Sequence, residues 1–113
     1  MKPKTLVVSL IAVLLCVAAN ANARDTVEQL GKGVGSTCGT WTAERKTSTQ
    51  WFSAANWVLG FMSGAASALD RDLLDGLDSN AVLGWMDNYC RAHPLDQIAD
   101  GATSLLETRA NAR

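Results

Sequence analysis

Beyond Ala23, this 113-residue chain keeps two cysteines, Cys38 and Cys90, so one internal disulfide is open to it and no other. The reason to set the opening segment aside lies in its order. The chain begins MKPKTLVVSLIAVLLCVAANANARD: two lysines, an uncharged apolar run from Leu6 to Ala19, then small residues at Ala19, Ala21 and Ala23. That is the three-part pattern of a secretory signal peptide. A membrane-spanning helix needs about 20 apolar residues, and the run is too short to span comfortably. Cleavage is expected after Ala23, with Ala21 as the second choice. A lipid anchor on Cys16 is the lesser alternative, because VLLCV places a leucine where lipoprotein signals carry a small residue.

Residues 24–113 are then the mature chain, long enough for one small domain with a modest core. An even cysteine count in an exported chain of this size argues for a Cys38–Cys90 disulfide. The segment carries eight Lys and Arg against eleven Asp and Glu, a net charge of −3. Without a basic run to neutralise phosphates, nucleic acid is not an expected partner.

Hydrophobic spacing predicts helices throughout. A polar segment over 24–32, of one or two helical turns at most, leads into GKGVGSTCG (31–39), which reads as a loop delivering Cys38 to its partner. Phe52, Ala55, Leu59, Met62, Ala66 and Leu69, widened by Trp51 and Val58, recur at three- and four-residue steps and predict a long helix. Gly60 and Gly64 share one face of it and suit a close crossing, within the chain or between two chains. DRDLLDGLDSN (70–80) is acidic but out of register for a calcium loop, so it reads as a solvated turn with Asp78 or Ser79 capping the next helix. Val82, Trp85, Met86, Tyr89 and Cys90 make the following stripe. His93 and Pro94 end it, with Pro94 at the first position of a last helix whose stripe is Leu95, Ile98, Ala99, Ala102, Leu105 and Leu106.

Chemistry has few residues to use. Cys90 and His93 resemble a nucleophile pair only while the thiol is free, and a disulfide removes it. No serine stands in a nucleophile-elbow context, one histidine and two bonded cysteines make no zinc set, and the glycine-rich stretch lacks the lysine and hydroxyl ending of a phosphate loop. No metal or cofactor is expected, and His93 reads as a capping or solvent-facing residue. Trp57 lies off the main stripe of its helix; core burial is the usual use of such a ring, and the alternative is a partner-facing role that Phe61, one turn on, would share.

STCGTW, NWVLGFMSG and GWMDNYCRAHPLDQIADGATSLLE together resemble the small periplasmic proteins of the HdeA/HdeB acid-stress chaperone group and the related Rap/Tai-type immunity proteins. The resemblance runs from Ser36 to Glu107. It implies an all-α, disulfide-bonded, non-enzymatic periplasmic protein, with Cys38 and Cys90 as the family's disulfide. The expectation is therefore a single domain of about four helices that binds another protein, either a stress client or a toxin, with a homodimer as a further option and no membrane association after cleavage.

Overall fold

The computed structural model describes residues 28–112, so the expected signal peptide and Cys16 lie outside the described residues. Five helices follow one another: α1 (Lys32–Gly35), α2 (Cys38–Glu44), α3 (Trp51–Ala68), α4 (Ser79–Ala92) and α5 (Ile98–Asn111). Among the described residues there is no strand, only an isolated antiparallel bridge between Thr37 and Gln97. The all-α bundle is as expected, with α1 a single turn beside four longer helices. No described helix is long and apolar enough to cross a membrane.

Cys38 is the first residue of α2, and Cys90 lies in the last turn of α4. They are bonded, with Cα atoms 4.6 Å apart and both side chains fully buried. The chain after Cys90 bends at His93, and the bend does more than reverse direction. Its carbonyls take up amides that open α2: Cys38 N–H donates to the Asp96 carbonyl at 2.7 Å and Gly39 N–H to the Pro94 carbonyl at 2.9 Å. A helix leaves its first N–H groups without internal partners, so the bend serves as the cap of α2, together with the Thr37 hydroxyl accepting from Thr40 N–H. Ile98 N–H returns the contact by donating to the Ser36 carbonyl at 3.1 Å.

Two expectations change here. The glycine-rich stretch is not only loop, since α1 and the start of α2 fall within it. Pro94 does not begin the last helix. Residues 94–97 form a turn, α5 starts at Ile98 behind a Gln97–Asp100 capping box, and Leu95 points away from the core, 91% exposed. The physical reason is the capping just described: the Pro94 and Asp96 carbonyls are committed to α2 and cannot open a helix of their own.

The core gathers Trp41 from α2, Trp51, Ala54, Ala55, Val58 and Met62 from α3, Val82, Leu83, Met86 and Cys90 from α4, and Ile98, Ala102 and Leu105 from α5. In α3 the buried stripe is rotated from the expected one: Trp51 is in, while Phe52 and Leu69 are 59% and 53% exposed. Trp51 meets Trp41 edge to face at 5.5 Å, and a neighbour on α2 is what selects it over the adjacent phenylalanine. Close helix packing falls at Gly101, where an added Cβ would lie 2.7 Å from Met86 Cε and 2.9 Å from the Tyr89 ring. Asp78 caps α4, its carboxylate accepting from Ala81 N–H at 2.7 Å, as expected.

Tyr89 ties the bend to α4. Its hydroxyl donates to Asp96 at 2.7 Å, and its ring stacks on Trp85 and touches His93. That hydrogen bond, then burial, then the negative charges of Asp96 and Asp100 push the phenol up to about 12.

Replacing both cysteines with serine should cost about 4 kcal/mol of unfolding free energy, the chain-entropy value for a loop of this length, read from urea titrations. Tyr89 is the chain's one tyrosine, so absorbance of tyrosinate reports it alone. The midpoint should lie near 12 and fall toward 10 in Asp96→Asn. Because the folded value is the raised one, the contribution is whole below pH 10 and is lost as pH climbs through about 12.

Candidate partner-binding groove

Trp57 projects from the side of α3 turned away from the expected stripe, and the chain entering α1 folds against it. The indole N–H donates to the Leu30 carbonyl at 2.8 Å. Gly31 and Gly33 make room for the ring: a Cβ on Gly33 would overlap the indole, and Gly31 is held at φ +107, where a side chain would be strained. Gly31 and Gly33 of GKGVG are thus the seat of a tryptophan from the middle of another helix. The signal for this was the coincidence of a G-x-G pair with a tryptophan off its helix's stripe, and neither half is informative alone.

One turn after Trp57, Phe61 stacks on it with ring centroids 5.2 Å apart and planes 11° from parallel. The pair, with Leu30, Gln29, Asn56 and Gly60, lines an open groove of about 420 Å³. Leu30 is 79% exposed at its edge, while Trp57 and Phe61 are half-buried. The two candidate partner-binding residues are therefore brought together, neither fully buried in the core nor fully exposed. Trp57 is fixed in place by its own chain at the same time.

Gly60 and Gly64 do not serve a close crossing within the chain. Both are exposed, and an added Cβ at either would meet nothing within 4 Å. Gly60 instead leaves the groove wall low. His93 is exposed at the bend, its N–H donating to the Tyr89 carbonyl, and Cys90 is locked in the disulfide, so the two do not form a pair of reacting groups. Among the described residues no three His, Cys, Asp or Glu side chains are grouped to hold a metal ion. In the 70–78 loop, the carbonyls of Leu73 and Asp75 accept from the Arg109 guanidinium.

A second cluster had no local signal in sequence, because its members lie far apart along the chain. The Asp87 carboxylate accepts from Trp41 Nε1 at 2.8 Å and from Arg45 Nε at 3.0 Å, and the Arg45 guanidinium lies 3.9 Å over the Trp51 ring. It joins α2, α3 and α4 at the rim of the core. Comparison with protein-family models finds no match to this chain, nor does comparison with curated proteins or with solved structures.

Gly33→Ala should destabilise the fold by about 1–3 kcal/mol, because the methyl and the indole cannot share the space. Gly60→Ala, in open space within a helix, should stabilise it by about 0.5–1 kcal/mol. Urea titrations of both variants in dilute solution check the pair. A loss of stability in Gly60→Ala would mean that another helix packs on that face after all.

Proposed function

We propose that this protein is a non-enzymatic binding module for other proteins, of the HdeA-like stress or client-binding kind, acting in the periplasm. The groove beside Trp57 and Phe61 carries the reading. It is apolar and open, it offers two aromatic anchors of the sort that dominate protein interfaces, and its lining holds no titratable side chain. Recognition needs nothing more, whereas proton transfer or nucleophilic attack requires several titratable groups in one pocket.

Acid stress supplies a physical trigger for wider client binding. Residues 24–113 carry −3 at neutral pH and about +9 once the eleven carboxylates and His93 are protonated, from eight Lys and Arg plus the histidine. Self-repulsion of that size loosens a small domain and uncovers apolar surface, while the disulfide limits how far the chain can open.

The immunity or inhibitor reading, of the Rap/Tai kind, is favoured by one observation: both rings of the groove are already held in place, Trp57 by Leu30 and Gly33 and Phe61 by stacking. A preformed site loses little freedom on binding and suits a tight one-to-one complex.

Acidification decides between them. A client-binding protein should take up an apolar dye and suppress aggregation of unrelated proteins at about pH 2–3, with Trp57→Ala/Phe61→Ala losing most of the effect. An immunity protein should instead bind the product of a neighbouring toxin gene at neutral pH, and the same double variant should weaken that complex at least about tenfold. Neutral-pH binding without acid activity rejects the first reading. Inertness in both assays rejects the proposal.

A further inference from the structure

Positive charge is scarce in this chain, and half of it stands in one place. Between residues 28 and 112 there are ten Asp and Glu against six Lys and Arg. Three of the six, Arg45, Lys46 and Arg91, line two adjoining clefts of about 180 and 290 Å³ beside the start of α3. The other three are engaged elsewhere: Lys32 pairs with Glu44, and Arg71 and Arg109 donate to backbone carbonyls. The clefts' one acid is Asp87, whose carboxylate is shared between Arg45 Nε and the Trp41 indole. Among the described residues Lys46 has no hydrogen bond or ion pair, and Arg91 bonds to the Asn88 side chain alone. Two positive charges at the clefts are therefore balanced by no acid beside them.

The walls are shaped for more than solvated cations. The Arg45 guanidinium lies 3.9 Å over the Trp51 ring and meets Asp87 through Nε, which fixes its plane and leaves the Nη groups as a fork for an incoming acceptor. Trp51, 7% exposed, forms a wall of the larger cleft, and its buried indole N–H has no acceptor among the described residues. Buried donors are rarely left unpaired in a native fold. Phe52, 59% exposed, stands at the same cleft, and Thr47, Ser48 and Thr49 complete the lining with hydroxyls.

We infer that these clefts bind a short acidic peptide segment, which sets carboxylates against Arg45, Lys46 and Arg91 and an apolar side chain against Phe52. Carboxylate is the planar acceptor that a fixed guanidinium fork meets with two parallel bonds. Two clefts with Arg45 and Lys46 in common suit neighbouring anionic groups on one stretch of chain better than one small ion. The segment has to be short. About 27 Å away, beyond the other end of α3, Asp70, Asp75 and Asp78 are exposed, and a long polyanion such as nucleic acid would run into them. An anionic membrane surface would meet a net-acidic domain, attracted at this cleft and repelled around it. Trp57 is turned about 120° around α3 from Trp51, so the site is separate from the groove and does not rest on it.

Titration of the isotope-labelled protein at low ionic strength, followed by NMR, tests this with a short, end-blocked peptide of alternating glutamate and leucine as the probe. The comparisons are the same peptide with glutamine for glutamate, inorganic phosphate and single-stranded DNA. The backbone signals of Lys46, Thr47 and Phe52 and the Trp51 indole N–H should shift and saturate below about 1 mM peptide. Added salt should weaken the binding by screening. Lys46→Gln/Arg91→Gln, at two exposed side chains with no ion pair to lose, should weaken it at least about tenfold, while Trp57→Ala should leave it unchanged. The inference is overturned if these signals stay still, if the glutamine peptide binds as well, if the double variant binds like the parent, or if the shifts gather at Trp57 and Phe61. Tighter binding of phosphate or DNA at the clefts also overturns it, since the site would then be one for phosphate.

Discussion

The bond between Cys38 and Cys90 joins the first residue of one helix to the last turn of another, and the segment just beyond it completes the first helix by hydrogen bonds. The two constraints are mutually dependent. The covalent link keeps the bend at 93–97 within reach of α2, and the capping of Cys38 and Gly39 by the Asp96 and Pro94 carbonyls keeps α2 helical at only seven residues. An isolated helix of that length is unstable in water, because nucleation is not repaid within two turns. Cut the sulfur bridge and α2 must find its cap across an open chain. Lose the cap, and the bridge would tether a frayed segment.

From that junction the rest follows through aromatic rings. Trp41, one turn from Cys38, places its ring edge to face with Trp51 and its N–H on Asp87, and so sets α3 and α4 against α2. Arg45 closes the same contact from outside, lying over Trp51 and bonding Asp87. The ion pair is partly exposed, where such pairs contribute at most about 1 kcal/mol, so its role is to orient. With Trp51 fixed inward, helical geometry turns Trp57 about 120° away from it, to the flank where α1 passes. The groove is therefore a consequence of the core, since its anchor belongs to the helix that Trp51 locks.

Helix number, the disulfide, the Asp78 cap and the α4 stripe were legible in the sequence, because each rests on neighbours within one or two turns or on elimination among cysteines. The failures share a cause. Trp51 and Phe52 are adjacent and both apolar, and only the Trp41 ring on another helix decides which one is buried. Pro94 is a good first residue for a helix by local preference, yet the carbonyls around it are taken by α2. Gly60 and Gly64 have the spacing of a packing face, whereas the tight approach is at Gly101, a lone glycine with no pattern to mark it. Periodicity reports which side of a helix is apolar; which neighbour will come to it is information held elsewhere in the chain.

Charge is absent from α3 and concentrated beyond its ends. An 18-residue helix without a single ionised group, on the surface of a small domain, would ordinarily invite indiscriminate association, since nothing along it penalises a wrong partner. Here its buried stripe is covered by α2 and α5, its exposed side is mostly serine, asparagine and glycine, and its two ends are bracketed by charge of opposite sign. Small polar residues give little apolar area to an arbitrary surface. The charged ends go further, because a partner of uniform charge is repelled at one of them whichever way it approaches. What remains attractive is narrow: an apolar segment that fits beside Trp57 and Phe61, between the two charged ends and away from both.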